Sequence, residues 1–384
     1  MSLVVQGFAV LLAAAAVAGA VYQMAAALLV RRFAAAERPL PVRRPGITVL
    51  KPLCGDEWEL ADNLASFHHQ DYPACQLVFG VQDEADPALK AVATLDSRPP
   101  ESEVTVVADS RRHGRNLKVG NLLNMLPHAR HPLIAIADSD VRVSPTYLDD
   151  VAAPFADPAV GLVTCLYIGR PLAGLWSRVG ALGVNHGFLP SALVARALGR
   201  ADGCFGATMA LPRDLLDSIG GLDALRDVLA DDWALGAAVR KAGRKIALAA
   251  RPVDIIVDEP DFATLVAHEI RWGRTIAAVD RPSYIASVIT QPVALALLAC
   301  LCGQAALPFL AVVVLSVLAR LWAVREEEKA LALPRSGLGL LALREALSIA
   351  VFVAACCGRT VVWRGRRFRV CSDGTLTLVE GTAP

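Results

Sequence analysis

Charge of either sign is not in excess in this 384-residue chain: 38 Lys and Arg stand against 37 Asp and Glu, a formal net charge of +1. That balance argues against a general nucleic-acid binder, which carries a basic surplus. Charge is also scarce altogether. Only 20% of residues are charged, 55% are apolar, and the mean hydropathy is +0.46. So few charges exclude a purely soluble protein, and so many exclude one embedded in membrane throughout. Apolar and soluble stretches must therefore be segregated along the chain. A cysteine framework is missing too, although there are nine cysteines. Cys300, Cys302, Cys356 and Cys357 lie in apolar stretches, and neither pair has a second at zinc-like spacing. They read as reduced thiols acting as small hydrophobes. No internal repeat or low-complexity tract is evident beyond an Ala-rich start.

What is present is first a charge-free run from Met1 to Val30, ended by Arg31 and Arg32. As a helix it spans about 45 Å, more than the ~30 Å hydrocarbon core, so residues 1–31 predict a tilted transmembrane helix. A cleaved signal peptide fits less well, because the run lacks a leading positive charge and is too long. Arg31, Arg32, Arg38, Arg43 and Arg44 crowd the far flank, which assigns that side to the cytoplasm. Tyr284 to Leu321 is apolar again, with Arg320 as its single charge, and residues 284–322 predict a two-span hairpin turning near Gly303. A last apolar stretch, Leu338 to Cys357, contains Arg344-Glu345, which is costly at membrane depth. The tail then carries Arg359, Arg364, Arg366, Arg367 and Arg369. Residues 336–384 are therefore expected to form a re-entrant or interfacial segment and a basic cytoplasmic tail, without a further crossing.

Residues 45–281 have a different texture. The runs Ile47–Leu50, Gln76–Val81, Val104–Val107 and Leu133–Ala137 are short, apolar and rich in β-branched residues, as buried strands are. Asp86–Leu95 and Asn116–Leu126 show helical spacing between them. Alternating strands and helices predict an α/β domain with a mainly parallel sheet.

Ligands of such sheets bind at the carboxyl ends of strands. Asp138-Ser139-Asp140 directly follows Leu133–Ala137, and two carboxylates at a strand end can share a hard divalent cation that also bridges phosphates. A surface turn is the plainer alternative. Asp83 is a second strand-end carboxylate, in an acidic stretch that by itself reads as a turn. Asp231-Asp232 opens a helical run; it is either a helix cap or a general base poised beside an incoming hydroxyl. His268-Glu269-Ile270-Arg271-Trp272 offers a guanidinium for phosphate oxygens and an indole wall, although Arg and Trp are also common at membrane interfaces. His186 reads as structural, with the acceptor side of a site as the alternative. The adjacent pair His68-His69 reads as exposed.

The order of these features resembles the ceramide glucosyltransferase family of inverting, GT-A-fold glycosyltransferases. The matches are Lys51-Pro52-Leu53, Gln70-Asp71-Tyr72-Pro73, Val81-Gln82-Asp83 with Asp86-Pro87-Ala88, Asn116–Leu122, Asp138–Val143, Leu229–Asp232, Arg271-Trp272 and Trp363–Arg369. The resemblance runs from about Ile47 to Thr375. It implies a GT-A catalytic domain over 45–281 that takes a UDP-sugar donor and a lipid acceptor at the membrane. It implies that Asp83 holds the uridine and that Lys51 and Lys118 belong to the donor site. Asp138 and Asp140 would engage a Mg²⁺ or Mn²⁺ ion and the diphosphate, and Asp232 would deprotonate the acceptor. Arg271 and Trp272 would meet the diphosphate and acceptor at the membrane face. His268 stands where the family usually has Gln or Arg, and Asp231 replaces the usual Glu.

Within the family, His268–Trp272 and Gly180–Pro190 look most like the bacterial hopanoid-biosynthesis glycosyltransferases. That likeness implies transfer of N-acetylglucosamine from UDP-GlcNAc to bacteriohopanetetrol at a bacterial inner membrane. The alternative is a bacterial ceramide or sphingolipid glucosyltransferase using UDP-glucose. A processive polysaccharide synthase ranks low, because few spans follow the domain. A non-catalytic lipid-binding protein on the same fold would be expected to have lost carboxylates, yet Asp83, Asp138, Asp140 and Asp232 all stand.

Overall fold

The structure, a computed structural model, describes residues 3–95, 102–200, 203–363, 366–371 and 374–379. The long helix α1 (Leu3–Ala34) comes first, and the four anticipated strands follow. They are β1 (Ile47–Pro52), β2 (Cys75–Val81), β3 (Ser102–Ala108) and β4 (Leu133–Ile136), with α2 (Leu60–His68), α3 (Ala88–Ala93) and α4 (Leu117–Met125) between them. β1 pairs in parallel with both β2 and β4, and β2 with β3. Side chains alternate across the strands. Val49 and Leu77 pack with Leu64 and Phe67 of α2 on one face, while Leu50 and Val78 pack with Val119 and Leu122 of α4 on the other. Both faces are covered, which is why these strands read as unbroken apolar runs.

The remainder of the domain comprises β5 (Val141–Arg142), α5 (Tyr147–Ala152), β6 (Val160–Thr164), β7 (Tyr167–Pro171), α6 (Leu175–Gly183), α7 (Leu189–Ala197), β8 (Met209–Pro212), α8 (Arg213–Ser218), α9 (Asp231–Lys241), β9 (Lys245–Leu248) and β10 (Val253–Val257). The main sheet has the order β3-β2-β1-β4-β8-β6-β9, and β8 is antiparallel to both neighbours. A small sheet, β5-β10-β7, stands beside it. His68 departs from expectation: it closes α2 and is buried, whereas His69 is exposed.

Beyond the domain come α10 (Phe262–Val279), α11 (Arg281–Ala286), α12 (Pro292–Cys302), α13 (Leu307–Ala330) and α14 (Leu338–Cys356). A C-terminal antiparallel sheet follows, β11 (Thr360–Trp363), β12 (Arg366–Val370) and β13 (Leu376–Leu378). Arg364, part of the expected basic tail, and Gly365 lie outside the described residues. Among the described residues α1, α13 and α14 are long and apolar enough to cross a membrane. α1 packs along α12 and α13. Gly19 permits close approach, because a Cβ there would stand 2.3 Å from the Ile289 carbonyl oxygen. Arg31 meets Glu326 at 3.1 Å, and Arg320 donates to Gln23 at 2.7 Å, so α1 and α13 lie side by side with their C-terminal ends together.

The anticipated hairpin differs in its first limb. Residues 281–290 and α12 are bent by 75° and form a broken span or a re-entrant loop. Pro292 has no amide to continue the helix and holds Gln291 out of the helical region, at φ −111° and ψ 54°. The turn after α12 falls at Gly303. The charges that looked costly in the last apolar segment are paired. Arg344 makes a two-pronged contact with Glu269 of α10 at 2.5 and 2.8 Å, and Glu345 accepts from Arg320 at 2.8 Å. Arg344 is buried. Glu269→Ala, which strands that cation, is expected to cost about 3–5 kcal/mol and to lower the thermal midpoint of the detergent-solubilised protein. An unchanged midpoint would show that the pair holds nothing together.

Candidate active site

The carboxyl ends of β1, β2 and β4 open on one cavity of about 1660 Å³. β4 ends at Ile136, and Asp138-Ser139-Asp140 turns the chain into β5. Beneath this turn lies Lys51, whose ammonium donates to the carbonyls of Asp138 at 2.6 Å and Val141 at 3.2 Å and sits 4.0 Å from the centre of the Phe67 ring. Burial pulls Lys51 down to about 7, against the opposing charges of Asp140, Asp138 and Glu57. Its placement corrects the expectation that it contacts the donor. Lys51 is wholly buried, does not line the cavity and props the aspartate turn from below.

Lys118 does line the cavity. Asn116 caps α4 by accepting from the Val119 amide at 3.1 Å, which fixes the first turn that carries Lys118. The Lys118 ammonium reaches Asp138 at 2.6 Å and Asp231 at 3.4 Å. Burial alone would lower its pKa, but those two carboxylates outweigh burial and hold it above the ordinary lysine range. Asp231 and Asp232 form the first turn of α9. Asp232 accepts from the Trp233 amide at 2.7 Å and from the Gly206 amide at 3.2 Å. Burial, and then the neighbouring Asp231, raise Asp232 to about 6. Asp140 is raised to about 7, first by burial and then by Asp138 and Glu57, with Lys51 opposing.

Gly206 is a site residue that sequence reasoning missed. A Cβ at this position would lie 3.4 Å from Asp138 Oδ2, 3.7 Å from Asp232 Oδ2 and 3.8 Å from Lys118 Nζ. The bare backbone keeps open the space among the three charged groups. Its only sequence signal is a glycine in Gly203-Cys204-Phe205-Gly206, a pattern with no distinctive spacing.

Around the rim, Asp83 is exposed at the cavity mouth and accepts from the Ala85 amide at 2.9 Å. Arg271 faces the cavity from α10, and its guanidinium makes no hydrogen bond or ion pair among the described residues. Burial lowers its pKa while Glu259 opposes the shift. Trp272 is half-exposed and lies 4.2 Å, ring to ring, from His268, which bonds through Nδ1 to Glu259 at 2.8 Å. The Gln or Arg of the resembling family is thus replaced by a histidine held by a buried glutamate, another partner the sequence did not reveal. His186 also lines the cavity, in a π-helical turn, and its Nδ1 is engaged by Glu327 at 2.7 Å. The same cavity is lined by Tyr22 and Gln23 of α1, Tyr284 of α11, Arg320 of α13 and Phe352 of α14. Every anticipated site residue except Lys51 therefore faces one space, which extends to the apolar helices.

Asp138 and Asp140 suit a divalent cation. Burial and the neighbouring Asp138 charge raise the proton affinity of Asp140, the electrostatic condition a +2 charge relieves. Among the described residues no cluster of three or more metal-ligating side chains occurs. A bound ion would need oxygen ligands beyond these two carboxylates, since hard cations take about six or more.

A mainly parallel sheet with a reversed strand, carboxylates at its strand ends and a cavity reaching apolar helices make up a GT-A-type fold joined to apolar helices that could span a membrane. The chain belongs to glycosyl transferase family 21, whose model matches residues 11–376. It is 27% identical over 235 residues to ceramide glucosyltransferase 1 of Caenorhabditis elegans, covering 60% of this chain and 49% of the relative. It is 24% identical over 217 residues to ceramide glucosyltransferase 3 of the same organism, covering 54% and 45%. The chain thus spans about half the length of the curated relatives it matches. A solved mannosyltransferase from Pyrobaculum calidifontis, in complex with GDP-Man and Mn²⁺, superposes with a TM-score of 0.52 at 22% identity, covering 92% of this chain and 98% of that one. That likeness is one of fold.

Proposed function

We propose that the protein is an inverting transferase that moves a sugar from a UDP-sugar to the hydroxyl of a membrane lipid, with glucose and ceramide as donor sugar and acceptor. The observation that carries this reading is the single cavity lined both by Lys118, Asp138, Asp140 and Asp232 and by the apolar helices. A hydroxyl presented at the bilayer surface can reach the carboxylates without leaving it. The choice of ceramide follows the names of the relatives cited above. The hopanoid reading, drawn from His268–Trp272 and Gly180–Pro190, has no support in those relatives and is the second arm of the test.

In the proposed reaction Asp232 takes the acceptor proton as the hydroxyl oxygen attacks the anomeric carbon. The bond from that carbon to the diphosphate oxygen breaks on the opposite face, which inverts the configuration, and UDP departs with the electron pair. Lys118 and Arg271 stabilise the charge that develops on the diphosphate. Asp138 and Asp140 would hold a Mg²⁺ or Mn²⁺ ion, whose chemistry is neutralisation of the leaving diphosphate. Asp83, at the mouth, would receive the uridine.

The arginines beside α1 support a catalytic domain on the cytoplasmic face of a bacterial inner membrane in this reading. α14 then lies in the interface. Its leading segment is tied to the end of α13 through Glu328 and Ser336, and its other end enters the C-terminal sheet that packs on the catalytic domain. Both flanks therefore return to the same side.

Purified protein in nanodiscs supplied with UDP-Glc or UDP-GlcNAc, crossed with ceramide or bacteriohopanetetrol, is expected to yield glucosylceramide by mass spectrometry. Product formed only from UDP-GlcNAc and bacteriohopanetetrol would overturn the ceramide assignment. Absence of any glycolipid in all four arms, with UDP bound, would exclude both lipid classes.

A further inference from the structure

The C-terminal sheet makes contacts that the chemistry above does not use. The loop leading into Asp231-Asp232 pairs with the turn and strand before the chain's end. The Leu229 amide donates to the Gly374 carbonyl at 3.1 Å, and the Leu376 amide donates to the Asp227 carbonyl at 3.0 Å, on either side of a bridge between Val228 and Thr375. The same loop is tied to the start of α4. The Arg115 amide donates to the Asp227 carboxylate at 2.9 Å, and the Asn116 side chain donates to the Val228 carbonyl at 2.7 Å. Arg115 then closes the ring, because its guanidinium donates to the Leu376 carbonyl at 2.8 Å. Leu229 is buried with Val361, Phe368, Val370 and Leu376 of the sheet. On the other side, Arg274 of α10 donates to the Thr360 carbonyl at 2.6 Å.

We propose that the sheet β11–β13 is a positioning element of the catalytic centre, clamping residues 226–230, which aim Asp232, against the first turn of α4, which aims Lys118. The catalytic carboxylate follows Leu229 by three residues, and the ammonium follows Arg115 by three, so neither group moves independently of the clamp. The sheet itself touches no reacting atom. It acts through backbone pairing across more than a hundred residues of sequence, Asp227 with Leu376 among them. This inference rests on the assignment of Asp232 as base.

The test uses the full chain in nanodiscs, with Arg115→Ala to open the ring, Arg115→Lys to restore a donor, and Leu376→Pro to remove the amide that pairs with Asp227. Arg115→Ala and Leu376→Pro are expected to lower kcat about 10- to 100-fold, the scale of an ångström-sized misplacement. UDP affinity by calorimetry should fall by less than kcat does, since Asp83, Asp138, Asp140 and Arg271 of the proposed donor site lie outside the clamp. Hydrogen exchange should rise in peptides covering 226–236 and stay unchanged in β1 and β2, and Arg115→Lys should recover part of kcat. Unchanged exchange at 226–236 overturns the proposal, as does an undiminished kcat when that exchange rises. Exchange rising equally in β1 and β2 marks general loosening and overturns it too. A wild-type enzyme without sugar transfer would defeat the functional reading instead, while exchange at 226–236 would still decide whether the sheet fixes that segment.

Discussion

Asp232→Asn is expected to reduce sugar transfer by about 10³-fold while UDP binding stays measurable, because a positioned general base supplies roughly 10²–10⁴ of rate. Asparagine keeps the shape and can still accept from the Gly206 amide, but it takes no proton. Asp231→Asn is the informative neighbour. Asp231 engages Lys118 at 3.4 Å and is the more buried of the two. Its loss should raise KM for the donor more than it lowers kcat. A reversed ranking of the two variants would make Asp231 the base. The pH profile offers a second check. Burial and Asp231 raise Asp232 to about 6, and the acceptor proton can be taken only by the ionised form. kcat/KM should therefore fall about tenfold per pH unit as pH drops below 6 and level off above it. An acid limb near pH 4, where an ordinary aspartate titrates, would remove the proposed environment of the base.

The parts of this site that the sequence made legible are those built by near neighbours. Leu133–Ala137 announces a buried strand, and Asp138-Ser139-Asp140 must then lie at its carboxyl end. The same logic placed Asp83 after β2, and the family resemblance singled out Lys118 within the helically spaced stretch that begins at Asn116. What stayed hidden depends on partners distant in sequence. Resemblance alone assigns Lys51 to the donor site, and its tie to the carbonyl of Asp138, 87 residues on, has no sequence signal. Arg344 looks unaffordable in an apolar helix until Glu269, 75 residues back, is placed beside it. Gly206 matters only because Asp138, Asp232 and Lys118 surround it, and no local pattern marks that convergence. The break at Gln291-Pro292 goes unread in the sequence, because the apolar composition on both sides masks the 75° bend that the proline permits.

Asp140→Asn is expected to abolish most activity, by about 10³-fold in kcat/KM, and to weaken activation by Mg²⁺ or Mn²⁺, if Asp138 and Asp140 together hold the ion. Losing one of two anionic ligands in a partly buried turn removes much of the electrostatic reason for a cation to enter. Without the ion, burial and the nearby Asp138 and Glu57 raise Asp140 to about 7, so below that pH a metal must displace a proton. In the wild type, the metal concentration needed for half-activation should rise as pH falls below 7 and level off above it. The variant should lose that dependence. The same carboxylate bears on stability with the opposite sign. Its folded pKa lies above the unfolded value, so the native state binds this proton more tightly. Stability linked to Asp140 is then fully present at low pH and is lost as pH rises through about 7. Asparagine carries no charge to bury, so the metal-free variant should melt at a higher temperature than metal-free wild type at pH 8, and the difference should shrink towards pH 5. A merely structural aspartate would instead lose stability along with activity. Full activity after exhaustive chelation, or a wild-type metal requirement in Asp140→Asn, would remove Asp140 from the metal site.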